Sequence, residues 1–143
     1  MEKGYKFLED EATADIAFEA YGKDLNELFE NSALAVEECM VKLSSLKLKE
    51  KYKINLESES IEELLYDFLS ELIFIKDTEG LLFKKFKVKI SKNKPFKLTA
   101  ECDGEKINRD TQELLDDAKA VTKHLFEVKK IKERYIAKVI VDI

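Results

Sequence analysis

Glycine and proline are nearly missing from this sequence: one proline, Pro95, and four scattered glycines, Gly4, Gly22, Gly80 and Gly104. So few breakers exclude a linker or a low-complexity segment, and no internal repeat is present. They also exclude a glycine-rich phosphate loop. Neither G-x-x-x-x-G-K-[ST] nor G-x-G-x-x-G occurs, which argues against a built-in nucleotide-consuming centre. The single histidine, His124, excludes a histidine triad and a His-rich metal site. Cys39 and Cys102 are the only cysteines and stand outside any C-x-x-C spacing, so neither a disulfide framework nor a zinc ribbon is indicated, and a reducing compartment fits. No stretch approaches the ~20 apolar residues of a bilayer span, and the N-terminus lacks a run of ~7–15 apolar residues. A cytoplasmic protein that does not engage membranes is expected. The absence of tryptophan and the lone glutamine, beside abundant lysine and glutamate, resemble usage in proteins from hot environments.

What is present is an ordinary folded chain of 143 residues, 45% apolar and 38% charged. A single domain over 1–143 is expected, long enough to bury a sizeable core. The net charge of −5 gives no bulk signal for nucleic-acid binding. Any RNA in its function is expected to be held by a partner protein.

The segment 15–22 alternates, with Ile16, Phe18 and Ala20 on one face and Asp15, Ala17 and Glu19 on the other, and reads as a strand. From Asp24, a suitable N-cap, Leu25, Leu28, Phe29, Ser32, Val36, Cys39, Met40 and Leu43 recur at helical spacing. A half-buried strand follows, with Leu48, Tyr52, Ile54 and Leu56 alternating with Lys49, Lys51, Lys53 and Asn55. Ser60 and Glu63 form a capping-box pattern that opens a second helix carrying Ile61, Leu64, Leu65, Phe68, Leu72 and Ile75 inward, with Leu69, Ile73 and Phe74 widening its apolar face. Residues 85–90 and 96–102 read as a hairpin turning at Asn93 to Pro95, and residues 118–129 and 134–142 as two further strands. The fold class is α+β, two amphipathic helices packed on an antiparallel or mixed β-sheet.

Few residues invite chemistry. Cys39 and Cys102 fall on apolar faces and read as buried hydrophobes. Alternation places His124 with Ala118, Ala120, Thr122, Phe126 and Val128, which reads as a hydrogen-bonded core histidine. The lysine rows 49/51/53 and 85/87/89 read as the solvated face of a sheet, with phosphate contact as the alternative. Asp142 ends an otherwise apolar run, Val139-Ile140-Val141-Asp142-Ile143, where packing does not call for an acid. If the first main strand and the last are neighbours, Asp15, Asp142 and the terminal carboxylate form an all-oxygen pocket of the kind hard cations prefer.

Several blocks resemble the archease family. They are Ala12-Thr13-Ala14-Asp15-Ile16 with Tyr21-Gly22, Leu28-Phe29-Glu30-Asn31-Ser32-Ala33-Leu34-Ala35, residues 64–72, Asp77-Thr78-Glu79-Gly80-Leu81-Leu82-Phe83, residues 118–124 and Val141-Asp142-Ile143. They fall in order and span nearly the whole chain. The resemblance implies a small, non-enzymatic accessory protein that activates the RtcB-type tRNA-splicing ligase, promoting its guanylylation and multiple turnover, with tRNA met only through that ligase. It also implies a divalent cation, typically calcium, held by Asp15, Asp142 and a backbone or terminal oxygen of Ile143. An alternative within the family is a general chaperone or modulator of nucleic-acid-processing proteins such as methyltransferases. The sequence departs from the family at Ala12 and Gln112, where many members carry histidine, and at Lys123, where tyrosine is usual. Two readings compete outside the family: a metal-dependent hydrolase using the same carboxylates, and an RNA-binding module using the lysine-lined strands.

Overall fold

The computed structural model describes residues 4–8 and 15–143. Along the chain run β1 (Tyr5–Leu8), β2 (Asp15–Gly22), α1 (Leu25–Met40), a 3₁₀ turn (Leu43–Ser45), β3 (Glu50–Ser58), α2 (Ile61–Glu79), β4 (Leu81–Ile90), β5 (Phe96–Lys106), β6 (Ala120–Ile131) and β7 (Arg134–Asp142). The expected α+β class holds, but the strands divide between two sheets, β1-β2-β7-β6 and β3-β5-β4, each wholly antiparallel. Each helix serves both: α1 packs on β2 and β4, α2 on β6 and β3. Phe29 of α1 stacks on Phe68 of α2 at 6.1 Å, and Phe68 meets Phe86 of β4 edge-on at 6.2 Å, so aromatic rings tie the layers through one core.

Local sequence sets the helix ends. The Asp24 carboxylate accepts the Glu27 N–H at 2.8 Å, and Glu27 accepts the Lys23 N–H at 3.1 Å. Ser60 Oγ accepts the Glu63 N–H at 3.0 Å, and α2 stops at Gly80, whose φ of 65° is the left-handed conformation that glycine adopts freely. Gly104 answers a different need: a Cβ there would lie 1.9 Å from the Leu82 carbonyl oxygen, where β4 and β5 press together.

Two bulges reset the strand faces. One, between Phe83 and Lys85, changes the parity of β4. The other, between Thr122 and Glu127 of β6, holds Leu125 at φ 56° and overturns one expectation. The extra residues break the alternation that placed His124 inside, and His124 is exposed. Cys39 and Cys102, 3% and 0% exposed, are buried as expected.

β4 is one of the two edge strands of its sheet, and α1 covers that edge with side-chain acceptors. The N–H groups of Phe83, Val88 and Ile90 donate to Glu37 Oε1 (3.1 Å), Glu30 Oε2 (2.9 Å) and Asn26 Oδ1 (3.0 Å). Spacings of four and seven residues put the three acceptors on one stripe of α1, and the bulge brings Phe83 into phase with Val88 and Ile90. A stripe of helix side chains thus takes the place of a neighbouring strand.

Candidate metal centre

Asp15 is the first residue of β2 and Asp142 the last of β7, and the register sets them directly opposite one another. Opposed residues of antiparallel strands share a face, with Cβ atoms about 4.5–5.5 Å apart. That face is turned away from the helices: Ile16 and Phe18, and Val139 and Val141, point the other way into or against the main core. Both aspartates are half-buried, and among the described residues neither carboxylate has an ion pair or a hydrogen-bond donor. On the far side of Asp142 stands Ala120, too small to cover it, while the Asp142 carbonyl is taken by the Lys119 N–H at 2.8 Å.

The next row inward is Ala17, Ile140 and Thr122. Ala17 and Ile140 are buried, and Thr122 Oγ1 is buried without a hydrogen-bond partner among the described residues. One row further the charges alternate across all four strands, Lys6, Glu19, Lys138, Glu127, with Lys6 Nζ 3.8 Å from Glu19. The ladder makes the end row conspicuous. Elsewhere on this face opposite charges meet, whereas two like charges directly opposed repel.

Two carboxylates with the Ile143 backbone beside them make an all-oxygen donor set, which suits Ca²⁺ or Mg²⁺ and not zinc. Among the described residues no cluster of three or more His, Cys, Asp or Glu side chains accompanies the pair. Ala12, Thr13 and Ala14 lie outside the described residues.

The other singled-out residues do structural work. Gln112, buried, donates to Glu105 Oε1 (2.9 Å) and the Lys106 carbonyl (2.8 Å) and accepts the Asn108 N–H (2.9 Å). The Gln112 bond, followed by donation from Lys47 N–H and Lys49, holds the Glu105 carboxyl below its ordinary value. Lys123 binds Glu63 at 3.0 Å and lies 4.8 Å over the Tyr66 ring, tying β6 to α2. Burial pushes both thiols up to about 12, and no cation activates either.

Sequence reading missed Glu37 and Lys76. Glu37 is fully buried, burial pushes its carboxyl up to about 8, and Oε2 has no partner among the described residues. Lys76 is buried on α2, where Asp77, Asp117 and the Ala118 carbonyl receive its three protons. Burial alone would lower its pKa, but the two aspartates hold it above the ordinary lysine value. Charged residues inside otherwise apolar helical stripes were the available signal for both. A groove of about 660 Å³ beside Lys76, lined by Met40, Leu82, Arg109 and Leu114, shares no residue with the aspartate row.

The match to the archease protein family (MTH1598/TM1083) covers residues 5–143. The chain belongs to the archease family. It is 44% identical over 142 residues to the protein archease of Methanothermobacter thermautotrophicus, covering 99% of each chain. It is 40% identical over 135 residues to that of Pyrococcus abyssi, covering 93% of this chain and 95% of the other. The solution structure of Methanobacterium thermoautotrophicum protein 1598 superposes with a TM-score of 0.86 at 43% identity, over 99% of this chain and all of that one. A crystal structure from Thermotoga maritima, described as an archease and possible chaperone, shares the fold with a TM-score of 0.62 at 22% identity, over 95% and 96% of the two chains. Among the described residues no helix is long and apolar enough to cross a membrane.

Proposed function

We propose that this archease is a non-enzymatic cytoplasmic accessory protein that activates an RtcB-type tRNA-splicing RNA ligase, promoting its guanylylation and multiple turnover through a divalent-cation site. The observation that carries the reading is the direct opposition of Asp15 and Asp142 at the end of two paired strands. Folding has placed two like charges where they repel, and a bound cation relieves that cost. Asp15, Asp142 and a backbone oxygen of Ile143 would hold the ion, and Ca²⁺ suits the donor set. When bound, the cation supplies positive charge for an anionic group of the partner. The chain itself supplies the carboxylates, the strand ends that fix them, and a buried row, Ala17 and Ile140, that keeps their base rigid. Hydrolysis is disfavoured, because such a site without His or Cys activates water poorly compared with zinc.

Multiple-turnover ligation with the cognate ligase, run beside thermal melts, tests this. Asp15→Ala and Asp142→Ala should each abolish the stimulation while the fold persists. Full stimulation by the double variant overturns the proposal. A chaperone role is the second reading, favoured by the description of the Thermotoga maritima homologue as a possible chaperone. It predicts that the double variant still suppresses aggregation of a heated nucleic-acid-processing enzyme, such as a methyltransferase.

A further inference from the structure

The net charge of −5 averages over two unlike faces. On the side of β3-β5-β4 away from the core, the register aligns Lys51–Asp103–Lys85, Lys53–Glu101–Lys87, Asn55–Thr99–Lys89 and Glu57–Lys97. Six lysines stand there against three carboxylates. The acids occupy the central and β3 columns, so each three-strand row that holds one carries two lysines around it. One carboxylate cannot neutralise two lysines. Lys51 lies 3.6 Å from Asp103, and among the described residues Lys85, Lys87 and Lys89 have no ion pair. These three form an exposed column with a spacing of about 6.8 Å, and the β3 lysines run parallel about 10 Å away. Lys92 and Lys94, exposed in the adjoining turn, extend the positive region.

What this face lacks identifies the occupant. Across these four rows no apolar side chain stands on it; Leu82, paired with Glu105 at the end of the face, is buried, so the rows offer no anchor for a protein partner, whose contacts centre on aromatic and aliphatic groups, and nothing to insert into a bilayer. The nearest exposed ring, Tyr52, pairs with Cys102 and packs beside Phe83 at 6.2 Å on the core side, and none of the four rows carries a ring to stack an unpaired base, which disfavours single strands. A flat lysine field fits phosphate rows on the outside of a double helix, contacts that position without reading sequence. We propose that the outer face of β3-β5-β4 binds double-helical RNA through its phosphates. The choice of RNA over DNA rests on the RNA-ligase reading above; the phosphate contact itself does not.

The test is a ligase-free titration of the full chain with a fluorescent RNA duplex of mixed sequence, so its outcome is separate from that of the activation assay. If ~4 phosphates are neutralised, affinity should fall by about 10²-fold between 50 and 200 mM salt. Lys85→Glu/Lys87→Glu/Lys89→Glu should weaken binding at 50 mM salt by about tenfold or more. The control Lys129→Glu/Lys130→Glu/Lys132→Glu, an equal charge change on the other sheet, should alter it by no more than about twofold, and melts of both variants should match the wild type. Absence of wild-type binding at 50 mM salt, equal loss in the two variants, or tighter binding of a single strand or a DNA duplex each overturns the proposal.

Discussion

Glu37 shows how one side chain can set the pH dependence of the whole fold. Its carboxyl titrates near 8 in the native state, because burial penalises the charged form more than Phe83 N–H and Lys76 favour it, while the unfolded chain returns it to about 4.5. The native protein therefore holds the proton across that interval. The contribution is fully present below about 4.5 and is lost as pH rises through about 8. Glu37→Gln keeps an oxygen for the Phe83 N–H and removes the charge. It should raise stability at pH 8 by a few kcal/mol and flatten the stability profile between pH 5 and 8, measured by denaturant melts. The two thiols make a second test. Cys102→Ala should cost on the order of 1 kcal/mol as a core truncation, and both cysteines should resist labelling in the native protein. The burial of these cysteines was legible because each lies on a regular stripe. The exposure of His124 was not, since a bulge leaves no mark in local periodicity. Glu37 stands inside the apolar stripe, which was a signal, but helical spacing does not reveal that a strand edge supplies the partner that keeps it there.

Among the elements, α1 has two duties that read differently in sequence. Its apolar stripe was plain, whereas Asn26 and Glu30 look like ordinary solvent-facing positions until β4 is placed beside them. Asn26→Ala should strip the Ile90 N–H of its acceptor, cost on the order of 1 kcal/mol, and speed hydrogen exchange at Ile90 more than at Val88. Unchanged exchange at Ile90 would show that the helix does not protect this edge. Most strands and the two hairpins were likewise readable from alternation and turns, but not β1, nor the start of β4, where the bulge changes the parity, nor the end of β5 paired with it. The division into two sheets was not, because β2 pairs with β7 across almost the whole chain and periodicity carries no pairing partner. The same pairing makes a testable statement about the aspartates. In chelator, Asp142→Asn should melt above the wild type, since it removes a like charge opposite Asp15. Added Ca²⁺ should raise the wild-type melting temperature, with about 2.7 kcal/mol gained at a hundredfold excess over Kd, and leave Asp142→Asn nearly unmoved.

At the scale of the molecule, the carboxylates and the lysine field belong to different sheets that pack against the same two helices and core. That arrangement separates the two proposed contacts. Asp15 and Asp142 are half-buried at a strand end and carry little packing, and Lys85, Lys87 and Lys89 are exposed, so neither set of changes should disturb the other sheet. The aspartate pair should govern stimulation of the ligase, with little dependence on the lysines when the RNA is short and at high concentration. The lysines should govern duplex binding and its salt dependence, and should affect ligation only when RNA is dilute. Crossing the Asp15→Ala/Asp142→Ala and Lys85→Glu/Lys87→Glu/Lys89→Glu variants in both assays, together with the combined protein, measures this directly. The aspartate variant should keep wild-type RNA affinity and lose stimulation, and the lysine variant should do the reverse at saturating RNA. Loss of both properties in each variant would mean that the two faces act as one continuous surface.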